Sequence, residues 1–166
     1  MPQLKRVDPT RPRGWTSRAY AALANTRLGR FMSVHVVWKL DPLLMRATRG
    51  RFGMGLVMPT ALLETRGARS GVVRRNVVIY FHDGERVTIV ASKLGLPEHP
   101  AWFHNLCADP EVTFAGVPMR AAVVGDEGEC RRLWELADRV FAPYADYRRE
   151  AAKAGRTIPI VQLTAR

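Results

Sequence analysis

From residue 56 onward the chain breaks into short β-type runs punctuated by tight turns, and this constrains the fold more than any other feature. Leu56–Arg66, Val72–His82 and Arg86–Ser92 each have the apolar, β-branched content of a strand. His82-Asp83-Gly84-Glu85 predicts a hairpin between the last two, because Asp-Gly readily adopts positive φ. Glu111–Ala115 and Pro118–Gly125 predict a second hairpin around Gly116, and Ile158–Leu163 a closing strand. Helical pieces intervene. One is opened by Pro100 and runs through Ala101, Trp102, Phe103, Asn105 and Leu106, stopping before Asp109. Glu127–Val140 is a second, started by Asp126 with Glu129 in a capping-box pattern. A third follows the aromatic stretch Phe141–Tyr147 and ends near Gly155. About six short strands without strand–helix–strand alternation predict a mainly β, α+β fold: a mostly antiparallel sheet or barrel with appended helices.

The first fifty residues read differently. Residues 1–16 suit an irregular basic arm, and from Ser17 an apolar stripe of Tyr20, Leu23, Leu28, Phe31, Val34 and Trp38 predicts an amphipathic helix. Asp41-Pro42 then supplies an N-cap and a first-turn proline for a short helix, Pro42–Thr48. At 166 residues, with no repeat and no linker, the chain is expected to be one domain: 1–50 as arm and helices, 51–166 as the β unit.

Charge sharpens the division. Residues 1–75 hold fifteen Lys or Arg against Asp8, Asp41 and Glu64, a net of +12, whereas residues 76–166 net −1. Only Lys5, Lys39, Lys93 and Lys153 are lysines. Arginine suits bidentate contact with phosphate or carboxylate, although a GC-rich genome would produce the same preference. Nucleic acid, a membrane surface and a small anion all fit such a charge.

The longest stretch without a charged residue, Phe52–Leu63, is short of the roughly 18 apolar residues a spanning helix needs. The basic start lacks the apolar run of a secretory signal. Cys107 and Cys130 have no metal or disulfide spacing and are expected to be buried thiols of a cytoplasmic protein. His82, His99 and His104 form no metal pattern, and no nucleophile elbow is present.

Three clusters could carry chemistry. The first is Thr65–Arg75, where Gly67 and Gly71 allow a tight turn whose N–H groups can face an anion. Arg69, Ser70, Arg74 and Arg75 supply further donors, and a solvated hairpin is the plainer reading. The second is Ala91–Leu106, in which Ser92 and Lys93 could bind a polar ligand edge and Trp102 could stack or simply pack. The third is Phe141–Tyr147, where Tyr144 and Tyr147, three apart, would share a helix face and could present two phenols to one pocket. A phenol can donate to a developing oxyanion.

Together the elements PLLMRATRGRFG, LLETRGARSGVVRRNVVIYFHDGERVTIVASKLGLPEHPAWFHNLCADPEVTF, LWELADRVFAPYADY and RTIPIVQL resemble the deazaflavin (coenzyme F420)-dependent nitroreductase and quinone reductase family of actinobacteria, from about Leu43 to Val161. The resemblance implies a split β-barrel of the FMN-binding, flavin-reductase-like type. It implies reduced F420 as hydride donor, and a quinone, nitroaromatic or activated enone as acceptor. By resemblance the turn pattern G-x-[KR]-[ST]-G-x-x-R, here Gly67, Arg69, Ser70, Gly71 and Arg74, holds the polyanionic tail of the coenzyme. Lys93 and Trp102 match positions near the phosphate and the coenzyme, and Ser92 a serine close to the substrate. Tyr144 and Tyr147 match the wall of the acceptor pocket, where one could donate the proton. The chain departs from the pattern at Phe141, where a third tyrosine often stands, and in the longer segment RREAAKAG.

An FMN- or haem-linked reductase on the same barrel is a second enzyme reading, which would need fewer basic groups for its anionic tail. A noncatalytic carrier of fatty acid or another apolar ligand is a further one, opposed by the retained Gly67–Arg74 turn. A nucleic-acid binder lacks an aromatic-interleaved basic stripe. The Tyr20–Trp38 stripe either covers the core or rests on the inner face of the cell membrane, where a quinone would be met.

Overall fold

The computed structural model describes residues 5–10 and 58–166. Residues 58–166 form a closed six-stranded antiparallel barrel with helices outside it and at one side. The strands are β1 (Thr60–Arg66), β2 (Val73–Asp83), β3 (Arg86–Val90), β4 (Glu111–Phe114), β5 (Val117–Val123) and β6 (Ile160–Ala165). Around the barrel they run β1-β2-β3-β6-β5-β4, and β4 closes on β1 through Leu63 opposite Phe114. The strand count and antiparallel pairing match the sequence expectation, with boundaries moved by one to two residues at most ends.

Side-chain alternation builds two cores. Leu63, Val78, Tyr80, Val87, Ile89, Phe114, Val161 and Leu163 fill the barrel. Phe81, Val90 and Ile160, from the opposite faces of β2, β3 and β6, pack outward against two helices, α2 (Glu127–Val140) and α3 (Tyr144–Lys153). That two-sided burial explains why Val87–Val90 and Ile160–Leu163 read as continuous apolar or buried runs. A third helix, α1 (Ala101–Ala108), sits between β3 and β4 in sequence and packs Trp102 and Leu106 into the barrel core.

The turns follow their chemistry. Between β2 and β3 the central pair is Gly84-Glu85 rather than Asp83-Gly84. Asp83 pairs with Arg86, and only Gly84 takes a positive φ, +58°. Between β4 and β5, Ala115 (φ +51°) and Gly116 (φ +82°) make a two-residue turn, and Ala115 N–H donates to Leu62 O at 2.9 Å. Asp126 caps α2 by accepting from Glu129 N–H at 2.7 Å.

Asp83 does more than turn the chain. It accepts two hydrogen bonds from Arg132 of α2, at 2.9 and 2.6 Å, and one from Gln162 of β6 at 3.2 Å. This network pins α2 on the barrel, and the Arg132 hydrogen bonds hold the Asp83 carboxyl below the usual carboxylate range. Arg148 joins α3 to α2 through a bidentate pair with Asp138, its guanidinium lying 4.2 Å from the Trp134 ring centroid.

Residues 5–10 run irregularly beside β2, as expected for the arm. Tyr80 Oη donates to Lys5 O at 2.8 Å, and Val7 exchanges hydrogen bonds with His82. The expected helices at 17–38 and 42–48, and the start of the strand expected from Leu56, lie outside the described residues. The cysteines correct an expectation. Cys107 is exposed, because Trp102, Asn105 and Leu106 take the inward face of α1, and Cys130 is half-buried with Sγ donating to Val124 O at 3.3 Å.

Candidate functional site

The 67–71 turn joins β1 to β2 with its own hydrogen bonds: Gly67 N–H to Val72 O at 2.9 Å, and Gly71 N–H to Gly67 O at 2.8 Å. Gly71 has φ +65°, and a Cβ on Gly67 would stand 2.6 Å from Ser70 Oγ, so both positions suit glycine. Ser70 Oγ accepts from Val72 N–H at 3.4 Å.

The turn is anchored from α1 by Asn105. Its buried side chain accepts from Ala68 N–H at 3.1 Å and donates to Thr65 Oγ1 at 3.0 Å. Nothing in the spacing of the sequence assigns Asn105 to the turn. Its visible signal was an amide side chain on the same helix turn as two core residues, Trp102 and Leu106.

Strand register separates the neighbouring arginines. Thr65 pairs with Arg74, and Glu64 with Arg75. Arg74 therefore shares the face of buried Thr65, toward α1, while Arg75 lies on the opposite face and donates to Glu64 at 2.6 Å. Arg69, on the turn, and Arg74, at the start of β2, make no ion pair or hydrogen bond among the described residues.

Beyond β3 the chain enters a tight loop. Ser92 is not a strand residue but immediately precedes a single 3₁₀ turn, Lys93–Gly95. Three successive residues hold positive φ: Lys93 +43°, Leu94 +58° and Gly95 +78°. The first two carry side chains, and such conformations cost about 1 kcal/mol or more each unless the surroundings impose them. Two contacts do so here. Gly95 lies so close to α3 that a Cβ would stand 2.8 Å from Tyr147 O. Arg156, 7% exposed, reaches into the loop and donates to the carbonyls of Ala91, Ser92 and Leu96 and to His99 Nδ1. Lys93 Nζ rests 3.1 Å from Glu98, and the Ser92 hydroxyl makes no hydrogen bond among the described residues. Arg156, like Asn105, has no sequence spacing that ties it to the groups it holds.

Tyr144 and Tyr147 do share a helix face, and both are buried against the outer barrel wall. Phe141, Tyr144 and Tyr147 form one aromatic cluster, with ring centroids 5.1 to 6.3 Å apart, and Trp134 stands 6.1 Å from Tyr144. Trp102 is buried in the barrel core, 6% exposed, so packing accounts for its placement.

The structure thus joins the Ser92–Lys93 loop to Tyr147 directly, through Gly95. It joins the Gly67–Arg75 turn to α1 through Asn105. Between turn and loop no hydrogen bond or ion pair runs among the described residues, and α1 is the link: Asn105 holds the turn, while His99, just before the helix, accepts from Arg156 and lies tilted with its ring 4.9 Å from that of Phe103. A turn and strand start whose two guanidinium groups have no partner among the described residues suit a ligand tail with several negative charges, and the hydroxyl of Ser92 and ammonium of Lys93 suit a polar edge. This donor set fits a polyanionic coenzyme. No cluster of His, Cys, Asp or Glu able to hold a metal occurs among the described residues.

A closed antiparallel barrel with these helices is the split-barrel, flavin-reductase-like class, shared with a solved F420-H2 dependent reductase. That structure has a TM-score of 0.55 and 31% sequence identity, over 63% of this chain and 93% of that one. Residues 39–165 match the F420H(2)-dependent quinone reductase family, and the chain belongs to it. A relative, an F420H(2)-dependent quinone reductase of Mycobacterium tuberculosis (strain ATCC 25618 / H37Rv), is 33% identical over 150 residues, covering 84% of this chain and 99% of its own. Another solved chain, described as a domain-swapped dimer, has a TM-score of 0.56 and 28% identity over 75% of this chain and 93% of its own. Family membership brings with it the enzyme class, an F420H(2)-dependent reductase, and the cofactor, reduced F420.

Proposed function

We propose that this protein reduces a quinone with reduced F420, and that nitroaromatics and activated enones are further acceptors. The observation that carries the reading is a pair of guanidinium groups, Arg69 on the turn and Arg74 at the start of β2, that make no ion pair or hydrogen bond among the described residues, beside a turn locked to α1 by Asn105. In this reading Arg69, Arg74 and the turn around Gly67, Ser70 and Gly71 hold the charged tail of the coenzyme. Ser92 and Lys93 bind its polar edge, and Trp102 shapes the site from within the barrel. Arg75, committed to Glu64 on the other face, staples the hairpin instead of meeting the coenzyme.

When bound, reduced F420 supplies the hydride. The chain supplies orientation and a dry backing: Phe141, Tyr144 and Tyr147 form a buried aromatic cluster that packs behind the Ser92–Lys93 loop through Gly95. One of the two phenols donates the proton that neutralises the acceptor oxygen, and phenylalanine at position 141 confines that role to Tyr144 or Tyr147. Turnover of reduced F420 against menadione and a nitroaromatic tests this directly. Quinone reduction that either Tyr144→Phe or Tyr147→Phe slows by about tenfold or more supports it. Absence of turnover with every quinone, in a protein that binds F420, refutes the acceptor assignment.

The lipid solubility of quinones gives the N-terminal region a part. The basic, amphipathic stretch 17–38 lies outside the described residues, and its sequence supports a peripheral contact with an anionic bilayer, with residues 51–166 as the catalytic unit. Among the described residues no helix is long and apolar enough to cross a membrane. Co-sedimentation with anionic liposomes, lost on removal of residues 1–40, supports the contact, and equal partitioning of both forms refutes it.

A further inference from the structure

We infer that Arg156 is a positioning residue for the Ser92–Lys93 loop, and that its hydrogen bond to neutral His99 makes coenzyme binding pH-dependent. The inference rests on the reading above, in which that loop meets F420.

The clamp spans the strained residues. Ala91 O and Ser92 O precede them and Leu96 O follows them, and one guanidinium donates to all three carbonyls. Lys93 and Leu94 lie in the left-handed region without being glycine, a conformation that persists only where neighbours over-determine it. Arg156 therefore sets the backbone path that presents the Ser92 hydroxyl and the Lys93 ammonium. No carboxylate is within ion-pair distance of its guanidinium among the described residues. Glu98, the acid that acts on it through space, is itself held by Lys93. The four acceptors are three carbonyls and an imidazole.

The imidazole is the acceptor that can be switched off. Arg156 Nε–H donates to His99 Nδ1 at 3.1 Å, so the His99 proton sits on Nε2. A second proton, on Nδ1, would set two N–H groups and two positive charges against each other at that distance. Arginine does not give up its proton, so the contact must open. The groups facing His99 are Arg156, the His104 ring at 5.9 Å and the Phe103 ring at 4.9 Å, with Glu98 one residue before it as the nearby acid. Burial first, then the charges of Arg156 and His104, hold His99 below its ordinary value of 6.5. The clamp is intact at neutral pH and opens as pH falls through that lowered value.

The test is the Kd for oxidised F420, read by coenzyme fluorescence from about pH 5 to 8, for the full chain and its Arg69→Ala, His99→Asn and Arg156→Lys variants. Asparagine offers Arg156 an oxygen acceptor that does not titrate. The coenzyme's own ionisations are common to all proteins and cancel in the ratio of wild-type to His99→Asn Kd. That ratio is expected to be flat above about pH 7 and to rise about fivefold toward pH 5. Arg156→Lys, which cannot reach all four acceptors, is expected to weaken binding about tenfold and to flatten the profile. Parallel profiles for wild type and His99→Asn, in proteins with similar thermal midpoints, overturn the inference, and this holds even if Arg156→Lys fails to fold. No F420 binding by the wild type at any pH overturns the underlying reading. Binding weakened by Arg69→Ala with parallel profiles overturns the clamp alone.

Discussion

Replacing Asn105 by alanine is expected to damage both stability and coenzyme binding, although Asn105 itself is not assigned to the coenzyme. The side chain is 8% exposed and its partner Thr65 2% exposed. The Asn105–Thr65 hydrogen bond is therefore buried and worth about 1 to 1.5 kcal/mol, and the bond from Ala68 N–H, which water can partly replace, about 0.5 to 1 kcal/mol. Their joint loss is about 2 kcal/mol, a shift in thermal midpoint of roughly 4 to 8 °C for a chain of this size. Urea unfolding followed by circular dichroism should show a lower midpoint at unchanged slope, since the exposed surface is the same in both states. The freed turn no longer presents Arg69 and Arg74 together, so F420 affinity should fall about fivefold in the same protein. A loss below about 0.5 kcal/mol, or full destabilisation with unchanged affinity, would refute the argument that α1 organises the turn.

The strand register predicts opposite outcomes for adjacent residues. Arg74→Ala should weaken F420 about tenfold and reduce the dependence of binding on salt. Arg75→Ala should cost only the exposed Glu64 pair, under about 1 kcal/mol of stability, and leave affinity near wild type; calorimetric titration at two salt concentrations separates them. Gly95→Ala adds a Cβ 2.8 Å from the Tyr147 carbonyl at φ +78°. It should destabilise the protein by about 2 kcal/mol or more and disturb α3, readable as a change in near-ultraviolet dichroism from the tyrosine cluster. For Asp83, whose folded carboxyl is held low by Arg132, the stabilisation is present above its ordinary value of 3.8 and is lost as pH falls through the lower folded value. Asp83→Asn should therefore be less stable than wild type at pH 7, and the two unfolding curves should converge in strong acid.

The strands were legible because hairpin turns and runs of apolar, β-branched residues are local signals: Gly84, Gly116 and the Asp126 cap stand where the sequence suggests a break. What escaped is non-local. Arg74 and Arg75 look equivalent in sequence, and only the pairing of Thr65 and Glu64 across the hairpin assigns them to opposite faces. Asn105 and Arg156 lie 37 and 60 residues from backbone groups they hold, Ala68 and Leu96, and no spacing rule connects such distances. The expectation that both cysteines are buried failed at Cys107 because an eight-residue helix against a barrel has one inward face, already taken by Trp102, Asn105 and Leu106. Ser92 read as the end of a strand because Val90 and Ala91 are apolar. The left-handed turn that follows is imposed by Arg156 and α3, not by local propensity.

The central claim is that the basic turn and the Ser92–Lys93 loop together form a site for a polyanionic deazaflavin coenzyme. The most direct measurement is a fluorescence titration of the purified protein with F420 and, in parallel, with FMN, at low and high salt. The account predicts that F420 binds at least about tenfold more tightly than FMN, that salt weakens F420 more than FMN, and that Arg69→Ala and Arg74→Ala each remove part of that difference. Equal or tighter binding of FMN, or F420 binding indifferent to both arginines, would contradict it.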